Sequence, residues 1–436
     1  MTSPHSESKI TTWLKQANGF WFTLYATVAA FCLYTCVFSF RKTFAVATFD
    51  DLFFLGKSYK VWLVIAQVIG YGLSKFIGIK FIAELKARSR ATGILLMVSI
   101  AGFSWLLFAI TPAPYNIIFL FTNGLPLGMV WGMVFGYLEG RRMTEVLGAG
   151  LSVSFIFSAG LGKSVGGFIM RDWGTSEYWM PFVACCLFAI PLLFFLWLLN
   201  KLPPPSALDI QLRTKREPMN AAERKKFVLM FWPGIILFVL TYVLLTTFRE
   251  FRDNFSAEVW KTLGYGKSPE IFAFTEGTVA LIVLIIMSSL MVIKNNKLAL
   301  MVNHIIIAFG MILIGVSTFL FEIQIINAPT WMILIGLGLY LGYVPFNSIF
   351  FDRLIAAFQY VGTVGFIMYI ADSFGYLGSV SALLFKEFSH AKISWLNFFI
   401  STGYLVSVAG TLLIIGSMIY FHLRHTQWQS NRDAQS

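Results

Sequence analysis

The chain has 436 residues, of which 57% are hydrophobic and only 12% charged. That is too apolar for a water-soluble protein, in which about 25% are charged. The formal charge of +12 would suggest nucleic acid in a soluble protein, but here the cations fall mostly in short joints between apolar runs. That pattern reads as membrane topology and excludes a nucleic-acid partner. All four cysteines, Cys32, Cys36, Cys185 and Cys186, lie in apolar runs. No disulfide framework is expected, the spacings fit no zinc site, and neither metal nor cofactor is expected.

The first 17 residues are polar and lack a cleavable signal pattern, so the first apolar run is expected to stay as an anchor. Twelve apolar segments follow, at 18–46, 58–82, 91–111, 115–139, 146–170, 178–200, 227–256, 270–293, 298–321, 329–352, 361–386 and 394–422. Each approaches the ~20 residues that span a bilayer. The expected fold is an all-α polytopic membrane protein, with twelve transmembrane helices in two pseudo-symmetric six-helix bundles. The longest joint, 201–226, opens with Pro203-Pro204-Pro205 and carries Lys201, Arg213, Lys215, Arg216, Arg224, Lys225 and Lys226. Such a basic joint belongs on the cytoplasmic side. Lys80, Lys86, Arg88 and Arg90 after the second segment, and Arg141-Arg142 after the fourth, agree. An even count then places both termini in the cytoplasm of a multi-pass protein of the plasma (inner) membrane. The joint divides the chain into an N-terminal bundle, 1–200, and a C-terminal bundle, 227–436.

Two adjacent cations, Arg41 and Lys42, interrupt the first segment. One such charge at the centre of a membrane helix costs roughly 2.5–3.5 kcal/mol on insertion scales, so it needs a partner, water or a ligand. We read the pair as the start of an anion site; the alternative is a helix end whose cations snorkel to the headgroups. An internal repeat favours the site. Phe40-Arg41-x-x-Phe44 matches Phe251-Arg252-x-x-Phe255, and Val153-x-Phe155-Ile156 matches Val364-x-Phe366-Ile367, both at an offset of 211 residues. Gly124-Leu125-x-Leu127 matches Gly336-Leu337-x-Leu339 at 212. The repeat makes Arg41 and Arg252 equivalent, two guanidinium forks expected to face each other across a central cavity. Arginine stays ionised when desolvated and grips two oxygens of a phosphate at once.

The first segment reads Tyr34, Phe38, Arg41, Lys42, Phe44, and the second Tyr71-Gly72-Leu73-Ser74-Lys75-Phe76-Ile77-Gly78. The fourth carries Asn123-Gly124, Gly128 and Trp131, and the eleventh Phe374-Gly375-Tyr376-Leu377-Gly378 after Gly362-Thr363. On these motifs the chain resembles the major facilitator superfamily, and within it the organophosphate:phosphate antiporters of glycerol phosphate and hexose phosphates. The resemblance implies a phosphate-binding role for Arg41, with Lys42 and Lys75 as supporting cations, and exchange against inorganic phosphate. Phe38 stands where that family has a second tyrosine, and Leu127 where it has glutamine. The family's fifth-helix histidine is missing from Phe157-Ser158-Ala159-Gly160-Leu161, and Lys163 is the nearest ionisable group. The superfamily's Asp-Arg pair after the second helix is also missing.

Other charged groups admit two readings each. Arg249 lies one turn from Arg252 and could take its role; Arg249-Glu250-Phe251-Arg252-Asp253 could instead be a self-paired, solvated helix end. Asp372, an intramembrane carboxylate, is either a proton-coupling group or a charge partner of Lys163 or Arg41. Glu276 is expected to neutralise one of the arginines. Gly162-Lys163-Ser164 mimics the tail of a phosphate loop, but Phe157 stands where a glycine is required. His304 and His390 stand alone, and no acid–base constellation converges, so the chain is not read as an enzyme. The sequence reading is a secondary active transporter of a small organic anion, a phosphorylated metabolite, working by alternating access. Arg41, Arg252, Lys42, Lys75, Tyr34 and Arg249 form its substrate site; Asp372, Lys163 and Glu276 are coupling groups or charge partners. A membrane sensor of a sugar phosphate and a proton-coupled anion symporter are the alternatives. The expected partners are the small anionic substrate and the lipid bilayer, around a monomer.

Overall fold

The computed structural model describes residues 8–84, 87–139, 141, 144–206, 209, 221–290, 292–358, 365–388 and 394–433. Several expectations fall outside these residues: Lys86, Arg142, residues 210–220 of the basic joint, Gly362-Thr363, Val364 of the second repeat match, and His390. A short helix, Lys9–Gln16, precedes the spans. The first six spans are Gly19–Lys42, Tyr59–Glu84, Arg90–Ile110, Ile118–Leu138, Thr144–Trp173 and Met180–Leu199. The seventh to eleventh are Ala221–Thr262, Glu270–Leu290, Asn296–Glu322, Ala328–Ser348 and Gly365–Phe388. The twelfth is Trp395–Leu405 and Thr411–Asp433, joined through a π turn at Val406–Gly410. Among the described residues, ten helices are each long and apolar enough to cross a bilayer; the second and eleventh spans complete the twelve.

The two halves repeat one packing scheme. The second span packs on the fourth as the eighth packs on the tenth, and the third on the fourth as the ninth on the tenth. The first packs on the fifth and sixth as the seventh packs on the eleventh and twelfth. Between the halves, the fifth span meets the eighth and the eleventh meets the second, which are again equivalent pairs. This is a polytopic protein of two pseudo-symmetric six-helix bundles. Its outward faces carry Phe103, Ile190, Phe274 and Leu412, all exposed. So large an apolar exterior suits lipid rather than water.

Local chemistry fixes where spans begin and how closely they pack. Asn18 accepts from the Trp21 amide, Asn295 from Leu298 and Asn327 from Thr330, each at 3.0 Å, satisfying donors that a helix start leaves free. The second and fourth spans cross with backbones in contact. A Cβ on Gly70 would lie 2.4 Å from the Phe121 carbonyl, and one on Gly124 would lie 2.4 Å from that of Gln67. Small residues at such crossings are what let membrane helices approach. Gly124→Val is therefore expected to destabilise by about 1–3 kcal/mol through overpacking, read as a lower unfolding midpoint in detergent. An unchanged midpoint would mean that the two helices part freely.

The boundaries differ from the sequence reading at four places. The first helix ends at Lys42 and tightens into a 3-10 turn, Thr43–Val46. The next joint folds into a hairpin, Phe53–Phe54 against Lys57–Ser58, turning through Leu55 and Gly56 with φ of 52° and 71°. Paired positive φ values are the geometry of a type I′ turn. The seventh helix continues past 256 to Thr262, so the Arg249–Asp253 cluster sits inside it rather than at its end. The tenth segment breaks after Ser348 and resumes as Phe350–Ala357, one turn beyond Pro345, whose missing N–H weakens the helical ladder.

Candidate functional site

The tightened turn after Lys42 frees carbonyls that side chains capture. The Phe40 carbonyl accepts from Trp105 Nε1 at 2.6 Å and Asn123 Nδ2 at 3.3 Å. The Arg41 carbonyl accepts from Gln67 Nε2 at 3.1 Å, and Gln67 also donates to Asn123 Oδ1 at 2.9 Å. Spans two, three and four thus hold the end of span one in a fixed orientation. The backbone is satisfied there, and the two cationic side chains are directed across the molecule.

They meet the seventh span. Arg41 Nη2 lies 3.3 Å and Lys42 Nζ 3.2 Å from Glu250 Oε2, and Lys42 also donates to Asn254 Oδ1 at 2.9 Å. Arg249 Nη2 reaches the other oxygen, Oε1, at 2.6 Å. Three cations therefore share one carboxylate. The sequence separations of the cross-contacts are 209, 208 and 212, and the surface pair Asp50–Lys261 adds 211. These cluster around the repeat offset. Contacts across a pseudo-two-fold axis join residues at or within a few positions of their equivalents, so the ends of spans one and seven run along that axis. Arg41, Lys42 and Glu250 are at most 1% exposed.

Aromatic rings frame the cluster. The Arg41 guanidinium sits 3.8 Å from the centre of the Tyr71 ring and that of Arg249 4.3 Å from Tyr343, both cation–π contacts. Tyr71 also meets Tyr376 of the other half edge to face, and Tyr34 packs on Phe38 one turn along span one. Among the described residues, the buried Nε atoms of Arg41, Arg249 and Arg252 have no hydrogen-bond partner.

The remaining interior cations each lie beside an acceptor of their own. Arg252 Nη1 is 2.7 Å from Glu276 Oε1, and its Nη2 donates to the Met332 carbonyl at 3.2 Å. Lys163 donates to Ser256 Oγ at 2.9 Å and to the Asp253 carbonyl at 3.2 Å, while Tyr340 donates to Asp253 Oδ1. Lys60 is 2.6 Å from Glu258, and the half-buried Lys75 is 3.9 Å from Asp372, which also accepts from Tyr242. Seven cations and five carboxylates thus occupy the described interior. The excess of two positive charges falls on the Arg41, Lys42, Arg249 and Glu250 cluster. Outside the membrane spans, the hydrogen bond from Lys261 holds the Asp50 carboxyl below its ordinary pKa. Both ends of that pair are more than half exposed, so it contributes little to stability.

Residues 43–424 match the model of a family of unknown function, DUF5690. The chain belongs to the DUF5690 family. No curated protein is similar to this DUF5690 member in sequence. In structure it is similar to a D-xylose-proton symporter, with a TM-score of 0.60 and 18% identity over 93% of this chain and 97% of that one. It is also similar to the nucleoside transporter NupG, with a TM-score of 0.58 and 12% identity over 95% and 99% of the two chains. A bacterial homologue of the human drug peptide transporters matches with a TM-score of 0.58 and 12% identity over 94% and 99%. At such identities the likeness is one of fold, and this DUF5690 member shares that fold over nearly its whole length.

Of the two readings of Arg41 and Lys42, the one with snorkelling side chains does not hold: the DUF5690 structure buries both between the halves. The Arg249–Asp253 stretch is likewise buried rather than solvated. The arginine of span seven that joins Arg41 is Arg249; Arg252, one turn on, turns to spans eight and ten. Glu276 does neutralise an arginine, Arg252. Asp372 pairs with Lys75 rather than with Lys163 or Arg41, because spans eleven and two meet at that level. Glu250, Tyr71, Gln67 and Asn254 were not singled out. The signal for Glu250 was weak, since a carboxylate between two arginines in sequence reads equally well as local pairing.

Proposed function

We propose that this chain is a secondary active transporter of a small organic anion carrying a phosphate or equivalent dianionic group, working by alternating access. The observation that carries the proposal is the convergence of Arg41, Lys42 and Arg249 on one carboxylate at the pseudo-two-fold axis. Desolvating each uncompensated ion costs several kcal/mol, so a sealed excess of two positive charges favours a dianion there. Arg41 comes from one half and Arg249 from the other, so one phosphate gripped by both ties binding to the closing of the halves. Tyr34, Tyr71 and Tyr343 line the same space and supply hydroxyls for the rest of the molecule.

In this reading the bundles 1–200 and 227–436 rock about the axis, the basic joint 201–226 and both termini face the cytoplasm, and the membrane is the plasma membrane. The likeness to phosphate-exchanging antiporters in the first two spans supports the substrate class. A counterflow screen of labelled phosphorylated metabolites in proteoliposomes tests it. The expected result is accumulation of at least one dianionic ester, abolished by Arg41→Ala. Saturable binding with no accumulation of any anion would support a sensor instead.

The Asp372 contacts favour a second reading, proton-coupled symport, because this carboxylate bridges span eleven to Lys75 of span two. Asp372→Asn should then remove the pH dependence of uptake while homo-exchange continues. The same pH profile in the variant would take Asp372 out of the coupling.

A further inference from the structure

The carboxylate of Glu250 does more than neutralise a neighbour. It sits on the partner half from Arg41 and Lys42, it spends both oxygens on three cations, and Asn254 Nδ2 donates to it at 3.1 Å. Those are the contacts that an anionic cargo requires in the function proposed above, on which this inference rests. The guanidinium nitrogens of Arg41 and Arg249 that would grip a phosphate are the ones that now hold Glu250.

We propose that Glu250 is a tethered counter-anion. It takes the cargo's place on Arg41, Lys42 and Arg249 between transport cycles, so the unloaded carrier can close and return. The physical reason lies in like charge. Bringing the two halves together sets Arg41 and Lys42 against Arg249 in a medium where unscreened repulsion is strong. A strict exchanger uses that repulsion to forbid closing without cargo. Here a carboxylate fixed to span seven bridges to span one and relieves it, with Arg41, Lys42 and Glu250 buried together. Cargo must displace the carboxylate, so its apparent affinity is reduced by the fraction of carriers in which Glu250 is docked. Net movement down a gradient then becomes possible without a counter-substrate, unlike the exchange implied by the resemblance to antiporters.

The sign of one substitution decides this. In Glu250→Gln, inorganic phosphate no longer competes with a fixed carboxylate. Its affinity for the purified full-length protein, read by thermal shift, should rise about tenfold, as expected if the docked form holds about nine carriers in ten. In proteoliposomes the ratio of net efflux to homo-exchange, using an ester found by counterflow, should fall at least as far in that variant. Weaker phosphate binding in Glu250→Gln, as a merely positioning carboxylate would give, or an unchanged ratio, overturns the proposal. So does a wild-type protein that moves substrate only in exchange, whether or not the variant folds. Counterflow with strict exchange would refute this inference alone; no counterflow of any anion would refute the transporter reading with it.

Discussion

Replacing Arg41 by lysine should weaken binding of the dianionic substrate about 10²-fold, although the charge is kept. Lysine offers a point charge in place of a planar fork, so one of two charge-assisted hydrogen bonds to the substrate is lost, worth about 1.5–3 kcal/mol. The stacking on Tyr71 goes with it, at about 1 kcal/mol for a partly desolvated cation. Each 1.4 kcal/mol is about tenfold in affinity. Arg249→Lys should behave alike, since Arg249 shares Glu250 with Arg41 and stacks on Tyr343. Arg252→Lys should change affinity much less, because its fork is spent on Glu276 and the Met332 carbonyl. Equilibrium binding to the three purified variants checks the order. An affinity loss in Arg252→Lys equal to that in Arg41→Lys would return the clamp to the pair that the repeat suggests.

That contrast marks how far the sequence can be read. Twelve apolar runs, a basic joint and a repeat offset of 211 residues define the architecture, because membrane spans need only length and apolarity and are insensitive to detail. The place of the candidate site was legible too: two adjacent cations in an apolar run must be satisfied from elsewhere in the fold. Which residues satisfy them was not. A repeat aligns positions, whereas contacts at the axis join residues displaced by a few positions from true equivalence. Arg41 therefore meets Glu250, 209 residues on, rather than Arg252. The extension of span seven to Thr262 was hidden for a related reason. Its last turns interleave the apolar Phe255, Val259 and Trp260 with Ser256, Glu258 and Lys261, and Lys60 engages Glu258 there while Lys163 engages Ser256. Such contacts come from residues nearly 100 or 200 positions away, and no local pattern announces them.

The second large effect expected is on stability rather than affinity. Arg252→Met should destabilise the protein by about 3–5 kcal/mol, because Glu276 is left as an uncompensated charge inside the bundle. The pair is sealed: both residues are at most 3% exposed, and the guanidinium fills space that Gly336 leaves open, where a Cβ would lie 2.6 Å from Nη2. Glu276→Leu alone should cost a similar amount for the mirror reason. The double variant Arg252→Met with Glu276→Leu should return close to wild-type stability, since well-packed apolar groups commonly match a buried ion pair once desolvation is counted. Unfolding midpoints of the four proteins in one detergent complete the cycle, and the expected coupling is close to the sum of the two single losses. A double variant as unstable as either single one would mean that the pair is held for another reason. The contact of Arg252 with the Met332 carbonyl names that reason: the guanidinium would then be fastening span ten to span seven. Substrate affinity in the double variant separates the two roles of the arginines on span seven. If Arg249 is the gripping residue, that affinity falls far less than in Arg41→Lys, because the cluster around Glu250 keeps all of its cations.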